Sequence, residues 1–199
     1  MVHLLGVYDY TVILTHISLI SGVCSLLLAS RGQFGAAVCC IALSGFLDAF
    51  DGAVARMKQD RTEEEKAFGI QLDSLCDLVC FGVAPAFVCS RMGVDGPVGT
   101  VLVLFYCLCA LIRLAWFNVS ESRRQQQETT RRHSYQGLPV TSIAIILPAV
   151  YLTKVFLPEG ALSVLLHIML AVVGFLFVLD FSVPKPNWDA LLKGRKAKV

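Results

Sequence analysis

Charged side chains are scarce in this chain of 199 residues: they make up 16% of it, whereas hydrophobic residues make up 56%. The mean hydropathy of +0.68 lies far from the balance of a soluble globular protein. This composition excludes an ordinary soluble domain and predicts an integral membrane protein. No internal repeat is visible, and a nucleic-acid partner is not expected.

A polar region large enough for a separate domain is also lacking. Six apolar stretches have, or nearly have, the roughly 20 residues needed to cross a ~30 Å hydrocarbon core; they are 10–29, 33–56, 69–91, 97–118, 138–156 and 161–181. The sequence therefore predicts an all-α, polytopic membrane protein with six transmembrane helices, in which residues 1–199 form a single membrane domain. Because no Lys or Arg precedes the first stretch and no small-x-small cleavage site follows it, we interpret it as a retained helix.

Zinc-type cysteine motifs are absent as well. The chain has eight cysteines, and all of them fall within the apolar stretches. None forms a C-x-x-C pair or has a suitably spaced His, so a zinc site is not expected and the cysteines are interpreted as small helix-packing residues.

Basic residues are unevenly distributed between the predicted loops. With both termini in the cytoplasm, thirteen Lys and Arg lie on the cytoplasmic side, against Arg31, Arg91 and Lys154 outside. The positive-inside rule therefore predicts cytoplasmic termini in a cell (inner, cytoplasmic) membrane. The polar segment 119–137 is expected to lie on the cytoplasmic side, either as a mobile loop or as an interfacial helix. Its basic groups either serve as a topology signal or hold anionic lipid headgroups.

Four aspartates interrupt the apolar stretches. Asp48 and Asp51 lie near the end of the second stretch, and Asp73 and Asp77 lie near the start of the third. A charge in the hydrocarbon costs about 2.5 to 3.5 kcal/mol on insertion scales, so four unpaired carboxylates cost roughly 10 to 14 kcal/mol. Something must neutralise them.

Helical spacing brings these acids together. On the second helix Asp48 and Asp51 share one face with small residues and one Arg, and on the third Asp73 and Asp77 share a face with a Gly. The companion residues are Gly52, Ala55, Arg56 and Gly69. In an antiparallel hairpin, Asp48 is predicted to face Asp77, and Asp51 to face Asp73.

Two hard divalent cations would balance four carboxylates. Oxygen-only ligation suits Mg²⁺ or Mn²⁺, and paired metals serve displacement at phosphorus. Arg56 lies where it can pair with a phosphate oxygen. Intramembrane Asp residues also serve proton relays, ion pathways and buried structural pairs, so these alternatives stay open for each residue taken alone.

The pattern Asp48-x-x-Asp51-Gly52-x-x-Ala55-Arg56 followed by Gly69-x-x-x-Asp73-x-x-x-Asp77 resembles the signature of the CDP-alcohol phosphotransferase family. The segment between Arg56 and Gly69 is longer than is usual in the family, but it falls in the connecting loop. The stretches 68–86, 136–139 and 181–186 are similar to family members that use L-serine as the acceptor. Thr15 and Gly22 match the family's first helix, in which Ser18 replaces an expected Asn.

The resemblance implies that a phosphatidyl group passes from CDP-diacylglycerol to L-serine, with phosphatidylserine and CMP as products. It implies a homodimer among membrane lipids, with the active site facing the cytoplasm. It assigns two Mg²⁺ or Mn²⁺ ions to Asp48, Asp51, Asp73 and Asp77, and the role of general base to Asp77. The residues expected to contact the CDP-lipid are Gly52, Ala55, Arg56, Gly69 and Thr15. Arg113 is expected to hold the acceptor, a phosphate or a structural acid.

Three alternatives remain at this point. The same chemistry with glycerol 3-phosphate or an inositol phosphate as acceptor would call for a denser basic pocket than the sequence offers. A cation- or proton-coupled transporter would favour discontinuous helices or a repeated half, and the sequence indicates neither. A purely structural scaffold gives no reason to keep four acids in lipid.

Overall fold

A computed structural model describes residues 6, 12–57, 62–126, 134–158 and 160–184, and it is almost entirely helical. Its helices are α1 (Ile13–Ser30), α2 (Phe34–Met57), α3 (Glu63–Asp77), α4 (Ala84–Arg91), α5 (Gly96–Gln126), α6 (Ile143–Leu152) and α7 (Ala161–Val178). Leu78–Val83, here called the π segment, joins α3 to α4 as a wider helical turn, so residues 63–91 form one continuous helix.

Five of these helical units are long and apolar enough to cross a membrane, and they match the predicted stretches 10–29, 33–56, 69–91, 97–118 and 161–181. The sixth, Val140–Val155, is a shorter helix in which one 3₁₀ turn precedes α6 and another follows it. The all-α prediction of a polytopic membrane protein is thus confirmed. The side of the membrane on which the termini lie stays a prediction.

α1 and α2 form a tight antiparallel hairpin. Gly32, at φ +75°, makes the turn between them, as the Ser30–Gly32 sequence indicates. Along the interface the hydroxyl of Ser21 donates to the carbonyl of Cys40 at 2.8 Å, and the hydroxyls of Ser18 and Ser44 lie 2.7 Å apart. Short side chains let the two backbones approach closely, which is how helices pack where water supplies no driving force.

α3 begins with a capping box. The Thr62 hydroxyl accepts from the Glu65 N–H at 3.1 Å, and the Glu65 carboxylate accepts from the Thr62 N–H at 3.0 Å. This reciprocal pair satisfies two amides that the first turn would leave without partners. The Thr-x-x-Glu spacing of Thr62 and Glu65 is the sequence pattern of such a cap, and the cap fixes where the helix carrying Asp73 and Asp77 begins.

The predicted end of the fourth apolar helix near residue 118 is wrong, because α5 continues to Gln126 and the segment 119–137 therefore begins as helix. The apolar stretch ends near residue 118, but Glu121, Arg123 and Gln125 are strong helix formers that extend the helix beyond it. Residues 127–133 lie outside the described part of the chain. At the far end of the segment, two short strands, β1 (Ser134–Gln136) and β2 (Ser182–Pro184), pair antiparallel with Tyr135 opposite Val183.

The core lies where α1, the π segment and α4 meet α5, α6 and α7. Phe81, Tyr106, Ile143, Leu170 and Phe177 are buried there. Large apolar side chains such as those on the outer faces of α5 and α7 are exposed, in keeping with helices that face lipid. The acidic cluster therefore lies between helices whose opposite faces are apolar.

Gly22 is predicted to be essential for the contact between α1 and the π segment. A Cβ atom at this position would lie 2.5 Å from Cys80 Sγ and 3.2 Å from Cys80 Cα. Overpacking of this kind costs about 1 to 3 kcal/mol, so Gly22→Ala should lower the melting temperature of the purified protein.

Gly35→Ala is the matched control. It also replaces a helical glycine, but the nearest atom to its Cβ would be Tyr151 Oη at 3.6 Å, an ordinary contact. Ala favours helices by roughly 1 kcal/mol over Gly, so this variant should be as stable as the wild type or more so. Equal melting temperatures for the two variants would contradict the packing described here.

Candidate metal and phosphoryl-transfer site

Three carboxylates from two helices converge at one point. Asp48 on α2 and Asp73 and Asp77 on α3 each offer an oxygen atom, and these atoms all lie within 4.8 Å of one another. Asp77 is only 8% exposed, while Asp48 and Asp73 are half-buried. The pairing of Asp48 with Asp77 that helical spacing predicts is present in the structure.

Asp51 lies next to this group but is held differently. Its carboxylate accepts a hydrogen bond from the hydroxyl of Thr15, which is 6% exposed. Its charge still acts on Asp48, Asp73 and Asp77. The structure therefore arranges the four predicted acids as a cluster of three, with Asp51 anchored beside it to α1.

The carboxylates of the cluster repel one another. In the described part of the structure, the charged groups that act on Asp73 are the carboxylates of Asp48 and Asp51, and both repel it. Hard, oxygen-only ligands at mutual distances below 4.8 Å suit Mg²⁺ or Mn²⁺. The donor set thus fits the divalent cations that the sequence pattern predicts.

Thr15 links three of the elements around the cluster. Besides its bond to Asp51 on α2, its carbonyl oxygen accepts from the thiol of Cys76 on α3, with the sulfur 3.4 Å away. Cys76 lies between Asp73 and Asp77 in sequence. A single residue of α1 therefore contacts both acid-bearing helices, which makes Thr15 a candidate positioning residue as well as the substrate contact that the sequence predicts.

Two further polar pairs near the acids were missed by the sequence reasoning. Ser44, one turn before Asp48, pairs with Ser18 of α1. Ser74, directly after Asp73, donates its hydroxyl to the Asn118 side-chain oxygen of α5 at 2.7 Å. Ser44 lies on the Asp48 helix face at a spacing of four residues, a signal available from the sequence, whereas the Ser74–Asn118 pair depends on how α5 packs against α3.

Of the other residues predicted to contact the CDP-lipid, the structure describes only some side chains. Gly69 is half-buried in α3. Gly52, Ala55 and Arg56 lie in the last turns of α2, and their side chains lie outside the described part of the structure. Their roles toward the CDP-lipid stay predictions.

Arg113 anchors the segment that follows β1. Its Nε donates to the carbonyl of Leu138 at 3.2 Å, and its guanidinium carbon would lie 3.4 Å from a Cβ at Gly137. Gly137 has φ +62°, and its N–H donates to the Phe181 carbonyl at 2.6 Å, continuing the β1–β2 pairing. Arg113 thus orders the backbone between α5 and α6, and its contact with the acceptor stays a prediction.

Comparison with known proteins agrees with the family that the sequence pattern resembles. A family model described as CDP-alcohol phosphatidyltransferase matches residues 10–179. A CDP-diacylglycerol-serine O-phosphatidyltransferase of Helicobacter pylori is 30% identical over 192 residues, which cover 93% of this chain and 77% of that protein. One of the same name from Mycobacterium leprae is 38% identical over 133 residues, 66% of this chain and 43% of its own length. An archaetidylserine synthase of Methanothermobacter thermautotrophicus is 31% identical over 172 residues, 86% of this chain and 66% of that protein.

Removal of the Thr15 hydroxyl is predicted to weaken activity through Asp51. Hydrogen bonds to charged groups are worth about 1.5 to 3 kcal/mol, so Thr15→Val should lower the catalytic efficiency kcat/KM at least roughly tenfold. Thr15→Ser keeps the hydroxyl and should retain most of the activity. The measurement is the steady-state rate of nucleotide release, and equal losses in the two variants would show that the threonine methyl group matters and the hydrogen bond does not.

Proposed function

Since this chain belongs to the CDP-alcohol phosphatidyltransferase family, we propose that it transfers the phosphatidyl group of CDP-diacylglycerol to the hydroxyl of L-serine, giving phosphatidylserine and CMP. The observation that carries this proposal is the convergence of Asp48, Asp73 and Asp77 within 4.8 Å between two membrane-spanning helices. The choice of serine rests on the names of the relatives from H. pylori and M. leprae.

Asp48, Asp51, Asp73 and Asp77 are the residues proposed to hold two divalent cations, Mg²⁺ or Mn²⁺. Four ionised carboxylates carry a charge of minus four, which two such ions balance. When bound, the ions supply electrostatic stabilisation of the attacking and leaving oxygens at phosphorus. Thr15 contributes by fixing the Asp51 carboxylate through its hydroxyl.

Asp77 is proposed as the general base. The serine hydroxyl oxygen attacks the phosphatidyl phosphorus and gives its proton to the Asp77 carboxylate, while the bond between that phosphorus and the CMP phosphate oxygen breaks. CMP leaves with the electron pair of that bond, and Arg56 is proposed to offset its charge. A carboxylate is a weak base for an alcohol, so the positioning of the two reactants accounts for much of the rate.

The substrates are proposed to approach from different directions. The acyl chains of the lipid stay in the bilayer, while its cytidine lies beside Gly52, Ala55 and Gly69, where small residues leave room for a flat base. Arg113 is the residue proposed to meet the carboxylate of serine, on the side of α5 that faces the Gly137–Leu138 backbone.

The proposal includes the location, the orientation and the oligomeric state of the enzyme. Residues 1–199 form one domain in the cell membrane, the active site faces the cytoplasm, where serine and CMP are exchanged, and the protein is a homodimer. The excess of basic residues in the loops assigned to the cytoplasm supports this orientation.

The same chemistry with another acceptor is the main competing function. Glycerol 3-phosphate and inositol phosphate carry a phosphate and would require more basic groups than Arg113 supplies in the apolar part of the sequence. A cation-coupled transporter is less well supported, because residues 63–91 form a continuous helix through the π segment.

CMP release by the purified protein, with CDP-diacylglycerol and Mg²⁺ or Mn²⁺, tests the acceptor. L-serine should stimulate release and yield phosphatidylserine, whereas glycerol 3-phosphate and inositol phosphate should not. Release with one of the phosphate-bearing acceptors would keep the chemistry and replace serine. Absence of release with every acceptor and metal would contradict the proposal and favour transport.

Asp77→Asn separates the two roles assigned to Asp77. The amide cannot accept the serine proton, so turnover should be nearly abolished while the melting temperature and CDP-diacylglycerol binding are largely retained. Binding is measured directly with labelled lipid, and turnover as CMP release. An equal loss of binding and turnover would indicate that Asp77 acts as a ligand alone.

A further inference from the structure

A proline interrupts the hydrogen bonding of the helix that carries Asp73 and Asp77. Pro85 has no N–H, so the carbonyl of Phe81, four residues earlier, lacks the donor that it would have in an α-helix. Lipid offers such a carbonyl no donor, so a neighbouring helix, a polar side chain, an ordered water or a local change of helix type must supply the lost bond.

That partner comes from α5. The hydroxyl of Tyr106 donates to the Phe81 carbonyl at 2.7 Å, and both residues have no exposed surface. The Tyr106 ring is held in place by Phe177 of α7, with ring centroids 5.4 Å apart. Next along α5, the thiol of Cys107 lies 3.8 Å from the Gly82 carbonyl, a second and weaker contact with the same stretch.

The bond from Tyr106 falls within the π segment, which begins immediately after Asp77. A π turn is an extra residue inserted in an α-helix, and its position decides how the residues on either side are rotated. If the π turn moved by one residue along the chain, a residue that changed from one side of the turn to the other would have its side chain rotated about the helix axis. The rotation would be roughly 100°, the angle per residue of a helix with 3.6 residues per turn. Asp77, at the boundary, would then turn away from Asp48.

We propose that Tyr106 is a positioning residue for the acidic cluster. By supplying the donor that Pro85 lacks, its hydroxyl holds the π segment in place and so keeps Asp77 directed at Asp48 and Asp73. The proposal rests on the proposed function in one respect: it takes these carboxylates to be cation ligands. Tyr106 itself contacts neither the cluster's ligand atoms nor, in this account, the substrates.

The test uses full-length protein in detergent and four variants. Tyr106→Phe removes the hydroxyl alone. Pro85→Ala restores an N–H that can donate to Phe81, and the double variant combines the two changes. Tyr151→Phe is the control, because it removes a hydroxyl near Gly35, at the end of α2 remote from Asp48. Binding of Mn²⁺ is measured by electron paramagnetic resonance, together with melting temperature and, in the serine assay, kcat and KM.

Tyr106→Phe should bind Mn²⁺ about tenfold more weakly, the size of effect expected when a buried carbonyl loses its donor. It should lower kcat with little change in KM for CDP-diacylglycerol, since the lipid contacts are untouched. The double variant should recover most of the Mn²⁺ affinity, and Tyr151→Phe should match the wild type. Recovery by the second substitution separates positioning from a general loss of stability.

Three results would overturn the proposal. Unchanged Mn²⁺ affinity in Tyr106→Phe would show that the hydroxyl does not position the cluster. Mn²⁺ affinity as weak in the double variant as in Tyr106→Phe would show that the tyrosine acts by another route. If Tyr106→Phe does not fold, the double variant is compared with Pro85→Ala instead, and weaker Mn²⁺ binding by the double variant would lead to the same conclusion. Absence of Mn²⁺ binding by the wild type would reject the metal site itself, and with it both the proposed function and this inference.

Discussion

The free-energy cost of ionised carboxylates in a membrane interior constrains the rest of this structure. Each such group costs about 2.5 to 3.5 kcal/mol, and placing three of them within 4.8 Å of one another adds mutual repulsion to that cost. Divalent cations reduce both the cost of burial and the repulsion while the oxygens stay ionised. Protonation would also reduce them, but it would remove the negative charges. Under the proposed function a cation and a phosphate-bearing substrate would meet the acids at this point. The function therefore links the composition of two helices to the chemistry of phosphoryl transfer.

The other helices act mainly as a frame for that cluster. α1 contacts both acid-bearing helices, through the Thr15 hydroxyl on one side and the Thr15 carbonyl on the other. Gly22 permits its close approach to the π segment. α5 contacts the same helix through the Ser74–Asn118 pair and the Tyr106–Phe81 bond. Hydrogen bonds from side chains thus join the helices where the hydrophobic effect cannot, and they do so on both sides of Asp77.

The periodicity of apolar residues and the spacing of the acids were sufficient to predict much of the fold and part of the site. The number of apolar helices and the capping box at Thr62 follow from local sequence, because each depends on the geometry of a single helix. The meeting of Asp48 with Asp77 follows once the two helices are taken to run antiparallel. What depended on packing between helices was missed: the bond of Asp51 to Thr15, the Ser74–Asn118 pair and the π segment all join residues distant in sequence or respond to such a contact. The extension of α5 to Gln126 was missed for another reason, since the end of an apolar stretch does not mark the end of a helix.

The number of Mn²⁺ ions bound per chain of purified protein, with and without single Asp→Asn substitutions in the cluster, tests the central claim most directly. Two ions per chain in the wild type are expected, with loss of binding when Asp48 or Asp73 is replaced and no loss when the exposed Glu63 of α3 is replaced by Gln. A wild-type protein that binds no Mn²⁺ while remaining folded would contradict the account, because its acids would then be neutralised in some other way.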